Sequence, residues 1–390
     1  MTARFIVLVA LLTSLLAFGT DAMLPALPEI GKALGLADTN RVQLIVTSFM
    51  LGTGLGQLFF GPFSDYIGRK PAILLGLAIF MAGAAVSYTA QSFEMMLAGR
   101  MLQGLGVAGP RTASIAMVRD LYKGREMARI MSFVMAVFIL VPALAPLLGQ
   151  EVMLFWGWRS IFISFILFAM LAFIWMALGQ AETNVARRAF SLADLWHSAA
   201  MVFTTRQTMG FAVVAGLNFA AFVVYLSSAE QIFREIFHVG RLFPLYFAIM
   251  ALAIGAASFT NARLVMRLGM HTLITRAIAA LVGLSLLYVL ILLALPAAES
   301  LWLFLTWGVL SFFCVGLVFG NVNALAMEPM GANAGIAAAI IGAVSTVLAV
   351  AIGVPLGLLY DGSTLPLVAG FVVLGLGCLA VIRLTPRAPP

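Results

Sequence analysis

Gly61-Pro62-Phe63-Ser64-Asp65-Tyr66-Ile67-Gly68-Arg69-Lys70 is a short polar stretch between two long apolar runs, roughly 42–62 and 71–90. Each run is long enough to cross a bilayer as a helix. The stretch between them is too short for anything but a fold-back, so a membrane hairpin is predicted. Gly61 and Gly68 permit tight bends, and Pro62 and Pro71 mark the expected helix edges. Asp65 and Arg69 stand four residues apart, a spacing at which a carboxylate and a guanidinium meet. The plainest reading of such a segment is a basic loop that sets topology.

The rest of the chain has the same character. It has 390 residues, of which 63% are hydrophobic and only 9% charged. Soluble domains carry about 25% charged residues, so little of this protein lies outside a membrane. The net charge of +7 is no nucleic-acid footprint, because the basic residues sit in short loops between apolar runs. Cys314 and Cys378 both fall inside apolar runs and read as packing residues. The first apolar run, preceded by Arg4, has the look of a secretory leader. It reads instead as a spanning helix, because Asp21 and Leu24-Pro25-Ala26-Leu27-Pro28 replace a small-residue cleavage site.

An all-α integral membrane fold with twelve spans is expected, at 5–26, 42–62, 71–90, 94–118, 128–148, 159–178, 209–228, 242–262, 272–295, 301–321, 333–358 and 366–384. An even number puts both termini on one side. The loops on that side hold fifteen of the 22 basic residues: Arg4, Arg69, Lys70, Arg119, Lys123, Arg125, Arg129, Arg187, Arg188, Arg206, Arg263, Arg267, Arg276, Arg383 and Arg387. The other side holds five, namely Lys32, Arg41, Arg159, Arg234 and Arg241. By the positive-inside rule both termini are cytoplasmic. The longest loop, 179–208, carries Arg187-Arg188 and a short amphipathic stretch around Leu192 to Trp196. It divides a first six-span half, 1–178, from a second, 209–390. Thr260 to Gly269 after the eighth span is a degraded echo of the opening stretch, with Asn261 where an acid is expected.

The opening stretch resembles the G-x-x-x-D-x-x-G-R-K signature of the major facilitator superfamily at nearly every fixed position. Leu97-Ala98-Gly99-Arg100-Met101-Leu102-Gln103-Gly104 in span four resembles the superfamily's R-x-x-Q-G motif. Asp21-Ala22-Met23-Leu24-Pro25-Ala26-Leu27-Pro28 resembles the first-span motif of drug:proton antiporters, in particular the Bcr/CflA drug-resistance family. Arg119-Asp120-Leu121-Tyr122 and Ala326-Met327-Glu328-Pro329-Met330-Gly331 also read like its members. Pro142-Ala143-Leu144-Ala145-Pro146-Leu147-Leu148-Gly149-Gln150 resembles the end of the antiporter motif. It departs at Ala145 and Gln150, where that motif has glycines, which weakens the antiport reading. The resemblance implies two pseudo-symmetric six-helix halves with a substrate site between them near the midplane. It also implies a conformational latch in which Asp65 docks on the amino end of span eleven, with Gly68, Arg69 and Asp120 in the same network.

Charged groups inside a bilayer cost from about 3 kcal/mol upward and normally face a wet cavity with a partner. Asp21 is the one acid clearly within a predicted span, at a depth matching Arg100. Equal depth allows the two to pair, and the resemblance to drug:proton antiporters makes them the expected proton-coupling groups, the alternatives being a helix-capping Asp21 and an Arg100 that reaches the headgroups. Arg111 follows Arg100 by eleven residues, three turns, and either lines the inner cavity or reaches the cytoplasmic headgroups. Gln103, Asn218, Tyr225 and Asn321 are candidate polar cavity groups.

The function expected is export of small, mostly apolar compounds, drugs and antibiotics, in exchange for protons. The protein is expected as a monomer in a bacterial inner membrane, multi-pass, without cofactor, metal or nucleic acid. The alternative on the same fold is a metabolite importer or uniporter. An enzyme or sensor is disfavoured: His197, His238 and His271 are scattered in or beside loops, and no nucleophile–base, metal-ligand or nucleotide-loop spacing occurs.

Overall fold

The structure, a computed structural model, describes residues 2–184, 192–295 and 299–385. Arg187, Arg188 and Arg387, counted above for topology, lie outside the described residues. The chain divides into two compact units, Met1–His197 and Ser198–Pro390. Among the described residues the first unit contains α1 (Thr2–Asp21), the short α2 (Leu27–Ala33), α3 (Leu44–Ile67), α4 (Arg69–Tyr88), α5 (Phe93–Leu121), α6 (Gly124–Trp156) and α7 (Arg159–Gly179). The boundary between units falls within α8 (Leu192–Thr204). The second unit contains α9 (Arg206–Gln231), α10 (Phe243–Leu268), α11 (Met270–Ala294), α12 (Leu301–Met327), α13 (Ala334–Leu358) and α14 (Leu365–Leu384). Each of the twelve expected spans corresponds to one long helix, and no strand occurs among the described residues.

Ten of these helical runs are apolar enough to cross a membrane, and α6 contributes a shorter apolar stretch, Leu140–Trp156. The helix α5, with Glu94, Arg100, Arg111, Arg119 and Asp120, is too polar to face lipid. It packs instead between α3 and α4, which its glycines allow: a Cβ on Gly104 would lie 2.9 Å from the carbonyl carbon of Phe49. The opposite case is α7 and α11, where Leu167, Leu171, Leu178, Leu287, Leu290 and Leu293 are exposed at helical spacing. In water such a surface would aggregate; against acyl chains it costs nothing. The core of the second unit gathers Phe211, Ile274, Ile278, Val318, Val322, Ile341 and Ile382 from α9, α11, α12, α13 and α14.

The helix ends depart from the apolar runs in four places. The polar stretch 61–70 is not a turn. Helix α3 continues through Pro62 and Asp65 to Ile67, and the break is Gly68 alone, at φ 108° and ψ 159°. Pro71 lies in the first turn of α4, where its missing N–H is harmless. The first span is interrupted: α1 ends at Asp21, a 3-10 turn spans Leu24–Ala26, and α2 follows. Pro25 and Pro28 cannot supply the N–H groups that would continue α1. Helix α6 does not stop at Gln150 but runs to Trp156 with Pro142 and Pro146 inside it, since a break there would orphan more backbone groups than two prolines do. Helix α9 runs past Ser228 through Glu230 and passes into a π-turn at Ile232–Ile236. Glu230 is thus a second buried acid within a span.

Candidate functional site

The interruption of α1 is the organising feature of the first unit. Carbonyls in the last turn of a helix lack the next turn's N–H. Arg100 fills one of these vacancies: its Nη2 donates to the Gly19 carbonyl at 2.8 Å. The same guanidinium donates through Nη1 to Gln103 Oε1 at 2.9 Å and through Nε to the Ile45 carbonyl at 3.3 Å. Its carbon lies 4.4 Å from the centre of the Phe49 ring. The side chain is 0% exposed. Arg100 therefore joins the broken end of α1, the start of α3 and the middle of α5, and places a cation where the dipole of α1 ends.

Asp21 is the last residue of α1 and is 3% exposed. The ion pair with Arg100 expected from the sequence is absent, because backbone carbonyls, Gln103 and Phe49 have taken the guanidinium. Among the described residues no hydrogen bond or ion pair reaches the Asp21 carboxylate. Arg100 thus binds the carbonyl two residues before a buried acid that has no partner among the described residues. Across from it Gly149 of α6 lies against the backbone of Ala22, so closely that a Cβ would sit within the carbonyl oxygen. Pro146 is buried one turn away and Pro142 half-buried. Gly149→Ala is expected to lower the stability of the purified protein by about 1–3 kcal/mol or more, the cost of overpacking. Its melting temperature should fall by several degrees, whereas Gly283→Ala, with open space around it, should not change it.

A second cluster lies at the Gly68 break. Arg69 is buried and pairs with Asp65 and with Asp120 Oδ2, the latter at 3.0 Å, and donates to Ser64 Oγ at 2.9 Å. The ends of α3, α4 and α5 meet on this one guanidinium, so the structure brings together Asp65, Gly68, Arg69 and Asp120. Sequence reasoning missed Glu182, which receives the backbone N–H groups of Arg69 and Lys70 at 2.9 and 3.0 Å. The available signal was an acid in a linker otherwise marked by Arg187-Arg188.

The remaining candidates are described within their own units. Arg111 lies half-buried on α5, just past Pro110. In the second unit Asn218 is buried on α9, and Tyr225 packs in an aromatic cluster against Phe247 and Phe312. Asn321 of α12 donates to Asn261 of α10 at 2.5 Å and to the Leu317 carbonyl at 2.8 Å. Asn261, in the echo of the opening motif, therefore serves as an amide partner rather than an acid. Glu230 contacts Arg234 Nε at 3.1 Å.

Residues 9–354 match the family model of the Major Facilitator Superfamily. The chain is similar to a bicyclomycin resistance protein homolog of Haemophilus influenzae, 30% identical over 71% of this chain and 70% of that protein. It is similar also to a chloramphenicol resistance protein of Pseudomonas aeruginosa, 32% identical over 68% and 64% of the two chains. The multidrug resistance protein MdtL of Escherichia coli is 26% identical over 87% and 85%. The fold is that of a D-xylose–proton symporter of known structure, with a TM-score of 0.81 at 15% identity over 99% of this chain and 98% of that one.

Proposed function

The chain belongs to the Major Facilitator Superfamily, and on that premise we propose that it exports small, mostly apolar compounds, antibiotics among them, in exchange for protons by alternating access. It is a multi-pass membrane transporter of small molecules and not an enzyme. The observation that carries the proposal is the buried carboxylate of Asp21 at the interruption of α1, without a partner among the described residues, where the fully buried Arg100 binds the carbonyl of Gly19. A group of this kind binds a proton or a cationic substrate in one conformation and releases it when water arrives in another. The names of the relatives, resistance proteins for bicyclomycin, chloramphenicol and multiple drugs, support export of such compounds. Two six-span halves, 1–178 and 209–390, joined by a linker at 179–208, remain the reading of its organisation.

The test is a resistance panel, with chloramphenicol and bicyclomycin in it, on cells stripped of their own pumps. It is paired with uptake into inverted membrane vesicles under an imposed proton gradient. Resistance, with uptake abolished by a protonophore, is expected. Sensitisation of the cells, or accumulation unaffected by the gradient, would favour an importer or uniporter.

The proposed location is a bacterial inner membrane with both termini in the cytoplasm. A reporter fused after Thr204 should accordingly read cytoplasmic, and one fused after Gly157, between α6 and α7, should read periplasmic. An exported reporter after Thr204 would overturn this orientation.

A further inference from the structure

We propose that Glu182 is a positioning residue: the chain leaving α7 clamps the Gly68 break, binds the ends of α3, α4, α5 and α7 into one block, and thereby sets the rate of conformational exchange. The inference rests on the transporter assignment, not on proton coupling or on the identity of the substrate.

The clamp is built from both sides. Helix α4 has no side-chain cap of its own, because its N-cap residue is Gly68. The Glu182 carboxylate supplies one from another part of the chain. Oε1 accepts from the backbone N–H of Arg69 at 2.9 Å, and Oε2 from that of Lys70 at 3.0 Å. Oε1 also accepts from the N–H of Thr183 at 2.9 Å and of Asn184 at 2.8 Å, which fixes the linker around the acid. In return Lys70 Nζ donates to the carbonyls of Ala177 and Gln180 at the end of α7, at 2.7 and 2.9 Å. An anion thus sits at the amino end of α4 and a cation at the carboxyl end of α7, each matched to its helix dipole. Asn184 Nδ2 donates to the Asp65 carbonyl at 2.9 Å, and Thr183 Oγ1 to Asp120 Oδ2 at 3.4 Å. The clamp therefore reaches both acids that hold Arg69.

Gly68 is fitted to it twice. Its φ of 108° disfavours any side chain, and a Cβ would lie 2.9 Å from the Glu182 carboxyl carbon. Gly269 offers an internal comparison. It breaks α10 from α11 in the same way, at φ 74°, yet among the described residues nothing lies within 4 Å of its Cβ position. The helix–glycine–helix break occurs in both units, and among the described residues a carboxylate is seated only in the first.

Burial opposes ionisation of Glu182, but the four backbone N–H donors outweigh it and hold the carboxyl below its ordinary value. The group stays ionised throughout the neutral range. Removing it should therefore act equally at every pH from about 6 to 8, unlike the loss of a proton carrier.

The experiment uses the full chain reconstituted in liposomes, as wild type, Glu182→Gln, Glu182→Asp, Asp65→Asn and the Glu182→Gln/Asp65→Asn double variant. Backbone hydrogen exchange is followed at residues 62–72 and 117–122. Chloramphenicol efflux gives Vmax and KM per mole of inserted protein. Glu182→Gln should speed exchange at least tenfold in both segments and lower Vmax at least fivefold, with KM within twofold and no change across pH 6–8. Glu182→Asp should recover part of each effect, and the double variant should be no worse than the poorer single one. Exchange that rises only at 69–72, a Vmax within twofold of wild type, or additive losses would overturn the proposal. If the wild type moves no chloramphenicol, the substrate reading fails by itself. The clamp is then decided by the exchange data and by the rescue with Asp.

Discussion

Asp21→Asn is expected to reduce proton-driven substrate exchange in proteoliposomes to the level of empty vesicles, while substrate binding survives. The substitution keeps the shape of the side chain and removes its ability to exchange a proton at any accessible pH. A carboxylate in water titrates at about 3.9 and would remain ionised throughout the cycle, so a proton carrier needs surroundings that differ between conformations. Asp21 has the means for this difference. It is 3% exposed, no partner among the described residues engages its carboxylate, and the helix that bears it ends at that residue. The measurement is counterflow of labelled chloramphenicol with and without a pH gradient, alongside binding by scintillation proximity. Loss of coupled exchange with retained binding supports Asp21 as the carrier. Undiminished coupled exchange would exclude it, and Glu230, buried on α9 and touching Arg234, would be the next carboxylate to replace.

The membrane fold was legible from hydropathy, because a run of about twenty apolar residues has few stable alternatives in lipid. Where those runs ended was a poorer guide to where the helices end. Ser64 and Asp65 are polar, yet α3 carries them, since Arg69 satisfies both side chains from across the break. Glu230 lay beyond the apolar run of the seventh span, yet α9 includes it, with Arg234 one turn further on. The spacing of Asp65 and Arg69 predicted their contact, although it is made across the Gly68 break and not along one helix. Nothing local predicted Glu182, which meets Arg69 and Lys70 across more than a hundred residues of chain. Arg100 stood out as a candidate because a charge at that depth demands a partner. The partner itself was not readable, because two of its acceptors are backbone carbonyls, which every residue has.

That difference decides what replacing Arg100 should do. Were Arg100 a counter-ion for Asp21 alone, lysine would serve almost as well. The guanidinium instead reaches Gly19 on α1, Ile45 on α3 and Gln103 on α5, and stacks on Phe49. An ammonium offers its donors from one point and cannot reproduce a planar fork. Arg100→Ala strands up to three acceptors away from water, at about 1–3 kcal/mol each. That loss rivals the total stability of a typical domain, about 5–15 kcal/mol, so little folded protein is expected. Arg100→Lys keeps the charge near the end of α1 and should insert normally. Its melting temperature should fall between those of the wild type and the alanine variant, and its transport rate at least tenfold below wild type. Gln103→Ala removes one acceptor but leaves the contacts to α1 and α3, and should cost less than the lysine variant in both measurements. Wild-type transport and melting by Arg100→Lys would reduce Arg100 to a point charge. An Arg100→Ala protein that melts like the wild type would show that the interruption of α1 closes without its cap.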